Sequence, residues 1–285
     1  MSQARPVPLK LALALAIGAQ LSVNAASGFA VKAFELVGPA GLVLARNGLT
    51  AVVLLALVRP KLRGLRRAQW ASAACYGLAM AVMNSLFYEA LERLAVGPAV
   101  TIEMLGPLAL SVILGRSWRA WLWAVLALAG VAMLSGFDLA GVGGLGTVLA
   151  LAAGGAWACY ILATRWVGQV WSGGEGLAVG MALAAVFSLP RGLPDLVAGQ
   201  VGLAGLGWGA LVALLGSLVP YGLEMVALRG ISAATFGVVT ALAPASAALF
   251  GWLIAGQALG WWAAGGMVLV TAASAGAALD EARGP

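Results

Sequence analysis

Three observations in this sequence predict an all-α membrane protein of ten transmembrane helices arranged as two inverted five-helix repeats. The first is composition. At 62% hydrophobic and 9% charged residues, with a mean hydropathy of +1.01, the 285 residues hold too little polar surface to coat a water-soluble globule. The second is an internal echo. EALERLAVGPAVTIEMLGPLA and VALRGISAATFGVVTALAPAS superpose at an offset of 137, which lays Ala90 on Ala227, Leu91 on Leu228, Leu105 on Leu242 and Pro107 on Pro244. The third is the distribution of cations. With the amino terminus in the cytoplasm, that side collects Arg5, Lys10, Arg59, Lys61, Arg63, Arg66, Arg67, Arg116, Arg119, Arg165, Arg229 and Arg283, while the other side holds Lys32, Arg93 and Arg191. Both termini are therefore expected inside.

A bilayer core takes roughly 20 apolar residues per helix. Polar breaks divide the chain into spans near 9–31, 38–58, 70–91, 95–115, 118–137, 145–165, 175–190, 205–228, 232–255 and 259–279, the seventh being short. A β-barrel is excluded because the apolar runs are continuous, rich in Ala, Leu and Gly, and do not alternate. The first span follows Arg5 and Lys10, and Val23-Asn24-Ala25 resembles a cleavage site. Removing that span, however, would leave the sixth without its counterpart in the repeat, so it is read as a membrane helix. Spans one to five form repeat 1 (9–137) and spans six to ten repeat 2 (145–279). An odd number of spans per unit forces the second copy to enter the membrane upside down. Matched, interrupted helices in two such halves are the sequence trace of a secondary transporter with its site at the midplane.

Polar side chains inside a bilayer cost about 2.5–3.5 kcal/mol when charged and should face the protein interior. Gln20, Asn24 and Ser27 share one face of span one, and Tyr76, Met80, Asn84 and Tyr88 one face of span three. Span four adds Glu103 with Pro107 one turn later, span six Trp157 and Tyr160, span eight Ser217, Tyr221 and Glu224, and span nine Thr240 with Pro244. These are the candidate lining of a cavity, with Arg46, Pro107 and Pro244 in structural or coupling roles. Packing is the competing account of the aromatic and Met positions, and cross-helix hydrogen bonding that of the amides and hydroxyls. Arg46 either ties helix backbones together or meets the substrate. A pair between Arg46 and Glu103 would explain both intramembrane charges at once, and it is the arrangement expected here.

Other features carry no chemistry. Gly141-Val142-Gly143-Gly144-Leu145-Gly146 fits a dinucleotide fingerprint as a string but follows a membrane span, so it reads as a loop. The absence of histidine removes a Ser-His pair, the usual zinc ligands and an imidazole relay. Asp138, Asp195 and Asp280 fall at span ends, so no aspartyl dyad forms within the membrane. Cys75 and Cys159 read as small buried hydrophobes, and Gly205 and Gly209 as sites of tight helix packing. No metal, cofactor or nucleic acid is called for, since topology accounts for the net charge of +6.

Ala45-Arg46-Asn47-Gly48, Asn84-Ser85-Leu86-Phe87-Tyr88-Glu89-Ala90-Leu91 and Val100-Thr101-Ile102-Glu103-Met104-Leu105-Gly106-Pro107 together resemble the drug/metabolite transporter superfamily in its ten-span EamA branch. The last motif is similar to the form found in threonine/homoserine exporters and YddG-type aromatic amino acid exporters. The resemblance covers nearly the whole chain. It implies export of amino acids across a bacterial inner membrane through a cavity between spans one to four and six to nine, with spans five and ten at the periphery. Arg116 and Gln257 stand where a Glu often follows the fourth and ninth spans, a departure that bears on those carboxylates and not on the fold. The expected activity is broad-specificity, facilitative amino acid export by alternating access, with small zwitterions as substrates and the lipid bilayer as surroundings. The alternative is an exporter of other amphiphilic metabolites or cationic drugs, with Glu103 as counter-charge or proton carrier. An intramembrane enzyme is least supported, because no nucleophile has a recognisable base.

Overall fold

The computed structural model describes residues 7–115, 118–134, 144–198 and 203–283, and within them the chain is helical without strands. Arg5, Arg116, Asp138 and Gly141–Gly143 lie outside the described residues. The helices are α1 (Leu9–Val37), α2 (Pro39–Val58), α3 (Arg67–Leu91), α4 (Val96–Glu103), α5 (Leu105–Gly115), α6 (Trp118–Leu134), α7 (Leu145–Val170), α8 (Glu175–Ala198), α9 (Leu203–Ala213), α10 (Val219–Ala227), α11 (Ala233–Thr240), α12 (Ala243–Ala255) and α13 (Trp261–Arg283). A π-helical turn, Leu214–Leu218, joins α9 to α10.

Eight of these stretches are long and apolar enough to cross a membrane, counting α9 to α10 and α11 to α12 each as one, while Val96–Leu110 and Trp121–Met133 are shorter apolar helices. The chain is a multi-pass membrane protein. α4 and α5 are separated by a break at Met104, because Pro107 has no N–H to return to the carbonyl one turn earlier. The seventh span is longer than the sequence suggested: α8 runs through Pro190 and Pro194 to Ala198. Cys75 and Cys159 are exposed, correcting the expectation of burial; both point away from the protein interior.

Helix starts in the two halves keep a nearly constant separation. Leu9 and Leu145, and Pro39 and Glu175, are each 136 residues apart. The eight-residue helices Val96–Glu103 and Ala233–Thr240 are 137 apart at both ends. Contacts between halves come in exchanged pairs as well. α3 packs on α7 as the α9–α10 stretch packs on α1, and α7 packs on α4 and α5 as α1 packs on α11 and α12. α2 with α8, and α6 with α13, are each other's counterparts.

The apolar core is continuous at one end of the bundle and divided at the other. The main cluster draws on α1 only from Ala30 onward, on α2 at Leu42 and Val43, on α3 from Phe87, and on α7 at Ala150 and Ala153. Towards the end that carries the chain termini it gives way to two separate clusters. One joins Ala51, Ala73, Tyr76 and Met80 to Val167, Trp171 and Met181. The other joins Ala16 to Ala227 and Val239. Among the described residues no substantial packing connects α3 or α7 with α10 or α11. The bundle is therefore cleft on the side where Val7 approaches Gly230 and Trp171 donates to Ser72, and closed on the side where Gln257 accepts from the Val96 N–H and Arg191 pairs with Glu89.

Candidate functional site at the apex of the cleft

Pro220 is where the site begins. Without an N–H it leaves the preceding turn short of a backbone donor, and the helix widens there into the π turn Leu214–Leu218. Two carbonyls of that turn find donors on other helices. Ser22 Oγ of α1 donates to the Leu215 carbonyl at 2.7 Å, and the Arg46 guanidinium of α2 donates to the Gly216 carbonyl at 2.7 Å. Arg46 Nε also donates to Ser217 Oγ at 2.9 Å, and a further guanidinium nitrogen to the Tyr88 hydroxyl at 3.2 Å. Its Cζ lies 5.9 Å from the Tyr88 ring centroid. Of the two roles open to Arg46, tying backbones together is realised in these contacts.

The expected pair between Arg46 and Glu103 is not formed. Ser217, Gly216 and Tyr88 hold the guanidinium from one side, and the two charges lie within electrostatic reach but beyond ion-pair distance. Glu103, only 8% exposed at the end of α4, has no hydrogen-bond or ion-pair partner among the described residues. The sole sealed and unsatisfied side-chain atom among the described residues is Ser274 Oγ, so the Glu103 oxygens are not fully sealed.

Three tyrosines stand beside these charges. The rings of Tyr76 and Tyr160 are 5.3 Å apart at 52°, and the Tyr221 side chain reaches from α10 across the cleft to pack with them. Tyr160 and Tyr221 lie within electrostatic reach of Arg46. Glu224, one turn beyond Tyr221, is partly buried near the same pair.

The remaining predicted residues divide. Asn84 donates to Asn47 Oδ1 at 3.2 Å, Asn47 donates to Ser188 Oγ at 3.0 Å, and Ser188 closes on its own helix, so this buried amide network ties α3, α2 and α8. Asn24 donates to Ser246 Oγ at 2.7 Å, tying α1 to α12. Thr240 Oγ1 donates back to the Phe236 carbonyl. Trp157 packs on the main apolar cluster, Met80 lies in the second, and Gln20 is half-buried. Pro107 and Pro244 sit in the first turns of α5 and α12. Gln20 and Trp157, Met80 and Ser217, Asn84 and Tyr221, and Glu103 and Thr240 are each 137 residues apart, the offset that superposes the two prolines.

Ser22, Asn47, Gly216, Ser246 and Pro220 were not among the predicted site residues, though Asn47 lay inside a quoted motif. Pro220 within an otherwise helical run was the available signal for the broken turn. Among the described residues no group of three His, Cys, Asp or Glu stands together as a metal site.

A membrane bundle of two matched sets of helices, with broken helices presenting freed carbonyls and buried charges at the apex of a cleft, is transporter architecture. Comparison with known proteins identifies which: the chain belongs to the EamA family of the drug/metabolite transporter superfamily. Residues 144–279 match the EamA-like transporter family. The threonine/homoserine exporter RhtA of Salmonella typhimurium (strain LT2) is 33% identical over 288 residues, covering 99% of this chain and 96% of that protein. RhtA of Escherichia coli (strain K12) is 33% identical over 262 residues, 90% of this chain and 87% of its own. A solved crystal structure of 22% identity superposes with a TM-score of 0.62 over 95% of this chain and 98% of its own, a likeness of fold. The chain is a transmembrane transporter rather than an enzyme.

Proposed function

We propose that this protein exports amino acids from the cytoplasm across a bacterial inner membrane, with broad specificity, by alternating access between two inverted five-span repeats. The observation that carries the reading is the cleft: it opens on the terminus-bearing side, is packed shut on the other, and has buried polar groups with spare hydrogen-bonding capacity at its apex. The RhtA relatives supply the substrate class, and the constant offset of helix starts together with the exchanged contacts supports the repeat. Rocking one half against the other would close the cytoplasmic cleft around substrate and open the outer side, breaking the Arg191–Glu89 pair between α8 and α3.

The reading takes export to be facilitative, with ten spans and both termini inside. Proteoliposomes loaded with a panel of radiolabelled amino acids test it: protein-dependent flux down a substrate gradient, nearly unchanged by an imposed pH gradient, is the expected result. A second reading is favoured by Glu103 having no ion-pair partner. A carboxylate left unpaired at the apex could carry a proton or attract an amphiphilic cation. Uphill accumulation driven by a pH gradient and lost in Glu103→Gln would establish proton antiport. Flux of cations without flux of amino acids would establish the other substrate class.

A further inference from the structure

We infer that Arg46 and Glu103 form a split clamp for the α-amino acid zwitterion, Arg46 taking the carboxylate and Glu103 the ammonium. The inference rests on the amino acid exporter reading and adds to it the groups that recognise the common part of every substrate. Two opposite charges within electrostatic reach at a largely buried site would ordinarily collapse into a pair, because the cost of leaving each alone is high. Here the fold prevents the collapse. The π turn and Pro220 free the Gly216 carbonyl, and that carbonyl, Ser217 Oγ and the Tyr88 hydroxyl anchor Arg46 on the α10 and α3 side of the space. Glu103 ends α4 at the break before Pro107, more than nine-tenths buried, its oxygens without a partner among the described residues and not fully sealed.

The donor inventory fits the assignment. A guanidinium has five N–H groups, of which three are committed, and the two that remain suit a carboxylate. A carboxylate that accepts nothing has its full capacity for an ammonium. Since the two protein charges sum to zero, the site neither attracts nor rejects a substrate by net charge. It calls for a substrate that carries one cation and one anion. The side chain is then left to face the Tyr76, Tyr160 and Tyr221 hydroxyls, which meet polar and apolar side chains alike.

The test uses the full-length protein in proteoliposomes, with radiolabelled L-threonine as probe and two competitors that each lack one charge, L-threonine amide and N-acetyl-L-threonine. With wild-type protein, each competitor should be at least about tenfold weaker than unlabelled threonine, the loss associated with one charged hydrogen-bonded contact. In Glu103→Gln the preference for threonine over N-acetylthreonine should shrink about tenfold, with the preference over the amide retained. Arg46→Gln should show the converse. Glu103→Gln removes no hydrogen bond, so it is the primary variant. If Arg46→Gln fails to fold, the Glu103 arm and the wild-type competition decide between them. Equal competition by all three compounds with wild type, or an unchanged preference in Glu103→Gln, overturns the clamp while leaving the exporter reading intact. Absence of flux for every amino acid with wild type overturns the exporter reading, and the clamp falls with it.

Discussion

Gly154 and Gly155 are neighbours on α7, yet alanine at the two positions should act in opposite directions. A Cβ at Gly154 would stand 2.5 Å from the carbonyl oxygen of Glu103 and 3.2 Å from the Gly106 nitrogen. Both are backbone atoms of the α4–α5 break, so no rotamer change can relieve the contact. The Glu103 backbone must retreat by about 1 Å to regain an ordinary separation of roughly 3.5 Å. Overpacking of this kind costs about 1–3 kcal/mol, and the better helix propensity of alanine returns at most about 1 kcal/mol. Gly154→Ala should therefore be destabilised by about 1–2 kcal/mol, or a few degrees in Tm. Its flux should also fall, because the moved backbone carries the Glu103 carboxylate. At Gly155 an added Cβ meets nothing within 4 Å, so Gly155→Ala should keep or slightly raise Tm and keep wild-type flux. Thermal unfolding of both detergent-purified variants, followed by flux in proteoliposomes, checks the pair. A Gly154→Ala protein with wild-type Tm and flux, or a Gly155→Ala protein equally damaged, would refute the close-contact argument.

Three further outcomes are expected. Pro220→Ala restores an N–H to the broken turn and should lower flux by loosening Arg46 and Ser22 while Tm stays level or rises; a fall in Tm with unchanged flux counts against the role given to the π turn. Alanine at Tyr76, Tyr160 or Tyr221 should alter the ranking among transported amino acids as well as the rate, and three variants that keep the wild-type ranking at normal protein levels would place the side-chain subsite elsewhere. Cysteines introduced at Arg63 and Arg283 should react with impermeant reagents only from the cytoplasm and one at Gly260 only from outside; outside labelling at residue 283 would reverse the topology.

What could be read in advance was whatever depends on short-range periodicity. The break at Met104 and its counterpart at Ala241 follow from Pro107 and Pro244, and the faces of α1 and α3 follow from a spacing of three and four residues. Helix length could not be read at α8, where Pro190 looked like an end; α8 continues through it. The partner of Arg46 could not be read either. Pairing it with Glu103 was the economical choice from charge alone, but carbonyls freed by a proline 174 residues away compete for the same guanidinium, and only the fold brings them within 2.7 Å. Asn84 shows the same limit: its face was legible, whereas its commitment to Asn47 depends on how α2 sits against α3.

Glu103 and Thr240 occupy matching positions at the ends of α4 and α11, each four residues before the proline that follows the break. Their side chains have opposite prospects there. A threonine hydroxyl can return to the carbonyl four residues back, and Thr240 does so to Phe236 at 3.0 Å. A carboxylate has no donor with which to do the same, and the backbone N–H groups around it are used within the helix or replaced by Pro107. The scaffold is thus repeated while the charge is confined to one half. If that charge serves the substrate, its counterpart is dispensable: Thr240→Val, which forfeits only a local bond worth a few tenths of a kcal/mol to about one, should keep flux within about twofold of wild type and keep the preference for threonine over N-acetylthreonine. Equal loss of that preference in Thr240→Val and Glu103→Gln would mean that the shape of the broken helices, and not the carboxylate, sets recognition.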